Sequence, residues 1–252
     1  MNYGYWNKPN MNITESNKNL CNLLFRKGEL KQANNILDVG CGYGEQDFYW
    51  KELGAKNITA IDISKKSIKH ANEINFDKLN QCKKYNDISF NIGNACRLDY
   101  KDNTFERVTS LESAFHYDTR ERFLEESYRV LKPGGKLVIA DILYNDDNID
   151  IFNILNRKAF GKFFNIPEKN KITPEEFEKQ LKNIGYKVKL KDITHKTFKP
   201  YYKYFIENVN HKDTGINKYM FYFLMKIFGF YINTLCGGTN GFKYVIAVCE
   251  KV

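Results

Sequence analysis

The segment "NILDVGCGYGEQ", residues 35–46, sets an aspartate and three alternating glycines directly behind a run of apolar residues. Gly40, Gly42 and Gly44 let the backbone turn sharply and a ligand come close, because no Cβ stands in the way. Asp62 lies 22 residues after Gly40, at the end of a second apolar run, where a carboxylate can grip both hydroxyls of a ribose. These residue types at this spacing suit a nucleoside. The charges narrow its kind. A dinucleotide fingerprint needs glycine at the sixth position of G-x-G-x-x-G, and counted from Gly40 that position is Glu45. A diphosphate at the start of the following helix also meets Asp38 and Glu45, a costly neighbourhood for an anion. The same carboxylates favour a nucleoside with a cationic arm.

The elements that must hold this loop alternate in strand and helix character from about residue 34, the pattern of a parallel sheet with helices on its faces. Ile36–Val39 reads as a buried strand, "EQDFYWKELG" as a helix closed by Gly54, and "NITAID" (57–62) as the second strand. Ser64 caps a helix whose Ile68, Ala71 and Ile74 share one face. Strands follow at 87–93 and 106–113. Asp118 and Glu121 form a capping box for a helix over 119–132, with Phe123, Leu124, Tyr128 and Leu131 toward the core and Pro133-Gly134-Gly135 as the stop. "KLVIADIL" is a fifth buried strand. Thr173-Pro174-Glu175-Glu176 starts a helix that ends at Gly185, "YKVKLKDI" alternates like a half-exposed edge strand, and "FKYVIAV" (242–248) is the last strand.

A chain of 252 residues with 42% apolar and 15% aromatic residues is long enough for one substantial core. Its +9 charge is spread without a run of five or six like charges, so no nucleic-acid partner is expected. The six cysteines lack the C-x₂-C spacing of a zinc site, and no metal is expected. "MNYGYWNKPN" does not read as a secretory signal, and "YMFYFLMKIFGFY" (219–231) is too short to cross a bilayer, so the expected setting is cytoplasmic with no transmembrane segment. Nothing in the sequence fixes an oligomeric state.

"ILDVGCGYG", "ITAIDIS", "IGNACRLDYKDNTFERVTSLESAFHY" and "RVLKPGGKLVIAD" resemble, in order, the successive motifs of class I S-adenosylmethionine-dependent methyltransferases, and most of all the small-molecule branch that tailors sterols, tocopherols and natural products. The match runs over roughly residues 34–141. It implies a Rossmann-like, seven-stranded, mostly parallel sheet with helices on both faces, an antiparallel last strand and a helical cap over the active site. It also implies one domain over 1–252: an N-terminal lid (1–33), a cofactor-binding core (34–143), a cap and acceptor region (144–172 and 195–240) and closing strands (186–194 and 242–252). By this resemblance Asp38, Gly40 and Gly42 approach the methionyl end of S-adenosylmethionine, with Cys41, Gly44 and Gln46 completing the loop. Asp62 binds the ribose, Ile63 packs on the adenine, Asn94 and Ala95 line the adenine edge, and Leu111 touches the methionyl portion. Asn94 and Glu106 stand where an aspartate is more usual in the family. "NYGYW" is similar to the family's opening segment, so Tyr3, Tyr5 and Trp6 are either a lid over cofactor and substrate or an anchor for a terminal helix.

Methyl transfer from a sulfonium is an in-line displacement that gains its rate from orientation in a site closed to water. His116 and Glu112, in the stretch leaving the fourth strand, are the candidate bases for an oxygen nucleophile. Carbon methylation of an alkene needs no strong base and stays open, as does nitrogen. His70, His195 and His211 read as solvated surface, and Cys41 as a small residue tolerated between glycines. The aromatic Phe160, Phe163, Phe164, Tyr201, Tyr202, Phe221 and Phe223 suggest an apolar small-molecule acceptor. The alternatives are an NAD(P)-dependent oxidoreductase and a non-catalytic cofactor-binding protein of the same fold.

Overall fold

The structure, a computed structural model, describes residues 2–146, 158, 161–162, 164–208 and 241–252. Its strands are β1 (Asn35–Val39), β2 (Asn57–Asp62), β3 (Ile88–Ile92), β4 (Phe105–Leu111), β5 (Leu131–Tyr144), β6 (Tyr186–Asp192) and β7 (Phe242–Lys251). They form one seven-stranded sheet in the order β3-β2-β1-β4-β5-β7-β6, parallel from β3 to β5, with β7 antiparallel to both β5 and β6. This is the mostly parallel sheet that the resemblance implies. The chain order reverses between β1 and β4, which opens a crevice at the carboxyl ends of those strands.

The helices follow from local signals read together with packing. They are α1 (Ile13–Lys27), α2 (Glu45–Glu52), α3 (Lys65–Gln81), α4 (Arg120–Val130), α5 (Pro174–Ile184) and α6 (Phe198–Asn208). Strand side chains alternate between two cores. Ile36, Val138, Ala140 and Ile142 face the layer of α1, α2 and α3, where Leu20, Leu24, Phe48, Trp50 and Ile68 are buried. Leu37, Val39, Leu137 and Ile139 face the opposite layer, filled by Phe123, Leu124, Phe177 and Leu181 of α4 and α5.

Thr173 and Glu176 make the expected reciprocal capping box, and Gly185 ends α5 at a φ of 113°. Ser64 caps α3 through Ser67 N. Strand β6 is the sheet edge, with alternating exposure.

Two expectations need correction. Asp118 does not cap α4: the N-cap is Thr119, whose side chain makes no capping bond, and the amide of Arg120 donates instead to Asn170 Oδ1 at 2.7 Å. The orphan amide of the first turn is satisfied by a residue fifty positions later, which no local pattern encodes. The same helix, expected over 119–132, ends at Val130. Leu131 is already extended and pairs with Phe105 of β4, and Lys132 is turned from helix by the following proline. The terminal helix that Tyr3, Tyr5 and Trp6 anchor in one of their two expected roles is α1, which carries its own capping box from Asn12 and Glu15.

Among the described residues no helix is long and apolar enough to cross a membrane. The stretch 219–231, His211, Cys236, Phe160, Phe163, Phe221 and Phe223 lie outside the described residues.

Candidate active site

Asp38 is the fourth residue of β1 and sits between Ala60 of β2 and Thr109 of β4. That register lets its carboxyl accept from Thr109 Oγ1 at 2.6 Å, while Gln46 Nε2, from the first turn of α2, donates at 2.9 Å. No solvent reaches it, and burial pushes the carboxyl up to about 6 against the pull of those two bonds. Asp47, also in the first turn of α2, is equally buried, and among the described residues its two oxygens have no hydrogen-bond partner. Burial first and the Asp38 charge second hold Asp47 well above the usual carboxylate range.

Above these acids the glycine loop is fixed from behind. The amides of Gly40 and Cys41 both donate to Ile61 O, and Tyr117 Oη and Ser113 Oγ donate to Val39 O at 2.7 and 3.1 Å. Gly40 and Gly42 have φ of 78° and 57°, but they are glycine for different reasons. A Cβ on Gly40 would lie 2.4 Å from Ser113 Oγ, whereas a Cβ on Gly42 would meet nothing within 4 Å. Gly40 thus answers to protein packing, and Gly42 stands on an open rim where backbone can approach a ligand.

Asp62, at the end of β2, is aimed by two amides: Gly42 N donates to Oδ2 at 2.9 Å and Ser64 N to Oδ1 at 2.8 Å. Each oxygen keeps a lone pair for another donor. Ile63 beside it is 72% exposed, a large apolar side chain left facing solvent. Asn94 is exposed with Oδ1 accepting from Cys96 N at 2.8 Å, while Ala95 and Leu111 are buried. Cys41 is buried and burial raises its thiol, so a reactive thiolate is disfavoured there. Glu106 lies at the far end of β4, where it accepts from Asn34 N at 2.9 Å.

The loop after β4 carries the two candidate bases in different surroundings. Glu112 has a left-handed backbone (φ 48°), and its Oε1 accepts both Tyr3 N at 2.8 Å and Tyr244 Oη at 2.6 Å. Burial pushes it up to about 7, opposed by those two bonds. His116 is exposed at the end of a short 3₁₀ turn, with its ring 4.1 Å from that of Phe115. Partial burial lowers its pKa, more than the Asp141 charge and the Phe164 backbone raise it, which favours the neutral imidazole.

The N-terminal segment reaches this loop. Tyr3 packs its ring 4.8 Å from those of Phe198 and Tyr201, Trp6 Nε1 donates to Tyr3 O, and Trp6 N donates to Lys196 O. Tyr5 N donates to Ser16 O, and Lys196 lies over the Tyr5 ring. Tyr202 stands in the same cluster, 6.1 Å from Tyr3.

A buried ion pair missed in the sequence holds the His116 loop. Arg120 Nε donates to Asp141 Oδ2 at 2.8 Å, both side chains being at most 1% exposed. Asn170 Nδ2 donates to the carbonyls of Phe115 and Tyr117, and Arg120 donates to those of Asn170 and Ile142. A signal existed: Asp141 interrupts an apolar strand run. Asp47 had one too, since it shares a helix face with Trp50, one turn away. His70 is half exposed beside Glu73 and Tyr43, and His195 is exposed, as expected. Among the described residues no cluster of histidine, cysteine and carboxylate suits a metal.

Residues 37–139 match the family described as "Methyltransferase domain". The chain is 31% identical over 215 residues to the erythromycin 3''-O-methyltransferase of Saccharopolyspora erythraea, covering 83% of this chain and 69% of that protein. It is 30% identical over 143 residues to the 27-O-demethylrifamycin SV methyltransferase of Amycolatopsis mediterranei, covering 57% of this chain and 51% of that one. In fold it is similar to a putative sarcosine dimethylglycine methyltransferase from Galdieria sulphuraria, with TM-score 0.78, 18% identity and coverage of 99% and 92%. The open glycine rim, the buried acid beneath it, the carboxylate of Asp62 and this likeness agree, and the chain belongs to the family of S-adenosylmethionine-dependent methyltransferases.

Proposed function

We propose that the chain methylates a hydroxyl of a small, largely apolar molecule, with S-adenosylmethionine lying along the carboxyl ends of β1, β2 and β4. The observation that carries this reading is the glycine rim: Gly42 faces open space directly beside the Asp62 carboxyl and above the buried Asp38. In this reading Asp62 holds the ribose hydroxyls and Ile63 lends its exposed apolar surface to the adenine. Asn94 and Ala95 line the base edge, and Leu111 closes the site below the methionyl portion. Asp38, aimed by Thr109 and Gln46, places negative charge beneath the cationic arm, with Cys41 and Gly44 shaping the turn.

The cofactor supplies a methyl group on a sulfonium, already activated for displacement. What remains for the protein is to align an acceptor oxygen, exclude water and remove a proton. We assign the proton to His116: the new bond is from acceptor oxygen to methyl carbon, the carbon–sulfur pair stays on sulfur, and the hydroxyl proton passes to the imidazole. Glu112 is the weaker candidate as a base, because its Oε1 already accepts from Tyr3 and Tyr244. Its role in this reading is to hold Tyr3, and with it Tyr5 and Trp6, as a lid. The erythromycin-type relative, named for O-methylation, supports oxygen as the attacked atom.

The test is calorimetry with S-adenosylhomocysteine against NAD, followed by transfer of labelled methyl to hydroxylated macrolide glycosides and to amine and alkene acceptors. H116A is expected to lower kcat by about 10²–10⁴ while leaving cofactor affinity unchanged. Binding of NAD alone, or label only in amines or alkenes, overturns the reading.

A further inference from the structure

Asp47 is a buried titratable group for which the reading above has no use. Burying an ionised carboxylate without any donor is among the costliest arrangements a core can hold, and among the described residues both Asp47 oxygens lack one. Its neighbour is Asp38, within hydrogen-bonding reach. Two carboxylates have no hydrogen to share, so a bond between them exists only when one is protonated. Asp38 already accepts one bond on each oxygen, from Thr109 and from Gln46, the pattern of an ionised acceptor. Among the described residues no other residue donates to Asp47, whose own amide is the one donor that lowers its pKa, and this leaves the proton on Asp47. The titratable groups around the pair are the thiols of Cys21 on α1 and Cys41 in the loop, the phenol of Tyr117 and the carboxylate of Asp62 at the end of β2; among the described residues none is a cation.

We propose that Asp47 is a neutral carboxylic acid at pH 7 that donates its O–H to Asp38, a positioning residue that keeps Asp38 ionised and aimed at the cationic arm of the cofactor. The inference rests on the cofactor placement proposed above. A third donated bond favours the charged form of Asp38, and a neutral Asp47 leaves one negative charge rather than two in the floor of the site. The arrangement resembles a carboxylic acid held neutral in an apolar site so that it can donate.

The test begins with infrared difference spectra of the ligand-free full chain, wild type against D47N. The expected result is a protonated-carboxyl carbonyl band in the wild type that D47N lacks; a band unchanged in D47N, or none in the wild type, overturns the proposal. Titration of the wild type by NMR with labelled aspartate carboxyls needs no variant: one carboxyl should remain protonated through pH 7, and its absence also overturns it. Calorimetry with S-adenosylhomocysteine then separates the roles. D47L, with no donor, should bind about tenfold more weakly than wild type, and D47N, whose amide donates to Asp38 at any pH, should recover most of that loss. D47N binding as poorly as D47L overturns the positioning role. If the wild type itself binds no S-adenosylhomocysteine, the cofactor placement fails, and the spectra of the ligand-free chain still decide where the proton lies.

Discussion

Two buried aspartates, Asp38 on β1 and Asp141 on β5, share a sheet and are equally shut off from solvent. Asp141 meets a guanidinium at 2.8 Å; Asp38 meets a hydroxyl and an amide. The first charge is answered inside the protein, so it serves the fold. The second has polar partners but, among the described residues, no counter-charge, a state that a core tolerates where an outside cation completes it. The difference separates a charge paired by folding from one that, in the proposed reading, faces the cofactor's cationic arm.

The largest effect is expected where the finished pair is broken. R120A strands Asp141 without its counter-charge and should cost about 3–5 kcal/mol in denaturant unfolding. A loss below about 1 kcal/mol would erase the contrast. At the other aspartate the effect should move from stability to binding. D38N is expected to weaken S-adenosylhomocysteine about tenfold to a hundredfold by calorimetry, with a melting temperature that stays near wild type. A fall in melting as deep as that of R120A would place Asp38 with the structural charges.

Glu112 sharpens the comparison through pH. Its folded pKa, about 7, lies above the ordinary carboxylate value, so the protonated form is the one that folding favours. That contribution is full below the unfolded pKa and fades as pH rises through 7. The ligand-free protein should therefore be less stable to denaturant at pH 8 than at pH 5.5, by roughly 1–2 kcal/mol from this group after allowance for its partial exposure. E112Q should flatten that part of the profile; an unchanged slope would assign it to other acids.

The smallest effect contrasts two helix starts. T173A removes a local cap and should cost about 1 kcal/mol, whereas T119A, whose hydroxyl caps nothing, should be close to neutral in the same unfolding assay.

These helix starts also show where sequence was a sufficient guide. The cap at Thr173, the closing glycine at 185 and the strands 36–39 and 57–62 were legible because each depends on residues within a few positions of one another. The glycine loop with Asp62 was legible for the same reason: strand, turn and strand are short and in register. The cap of α4 was not, because Asn170 supplies it from across the fold. Nor was the allotment of Glu112 to Tyr3 and Tyr244, which lie 109 and 132 positions away.

Alone, the sequence determined the alternation of strand and helix, the glycine turn and the acids around it, since period, caps and loop chemistry act over a turn or a strand. Tertiary structure decided the surroundings of each acid. A carboxylate's charge state follows from its burial and from the donors that distant elements bring to it. Arg120 reaches Asp141, whereas among the described residues Asp38 is met by Thr109, Gln46 and Asp47 and by no cation.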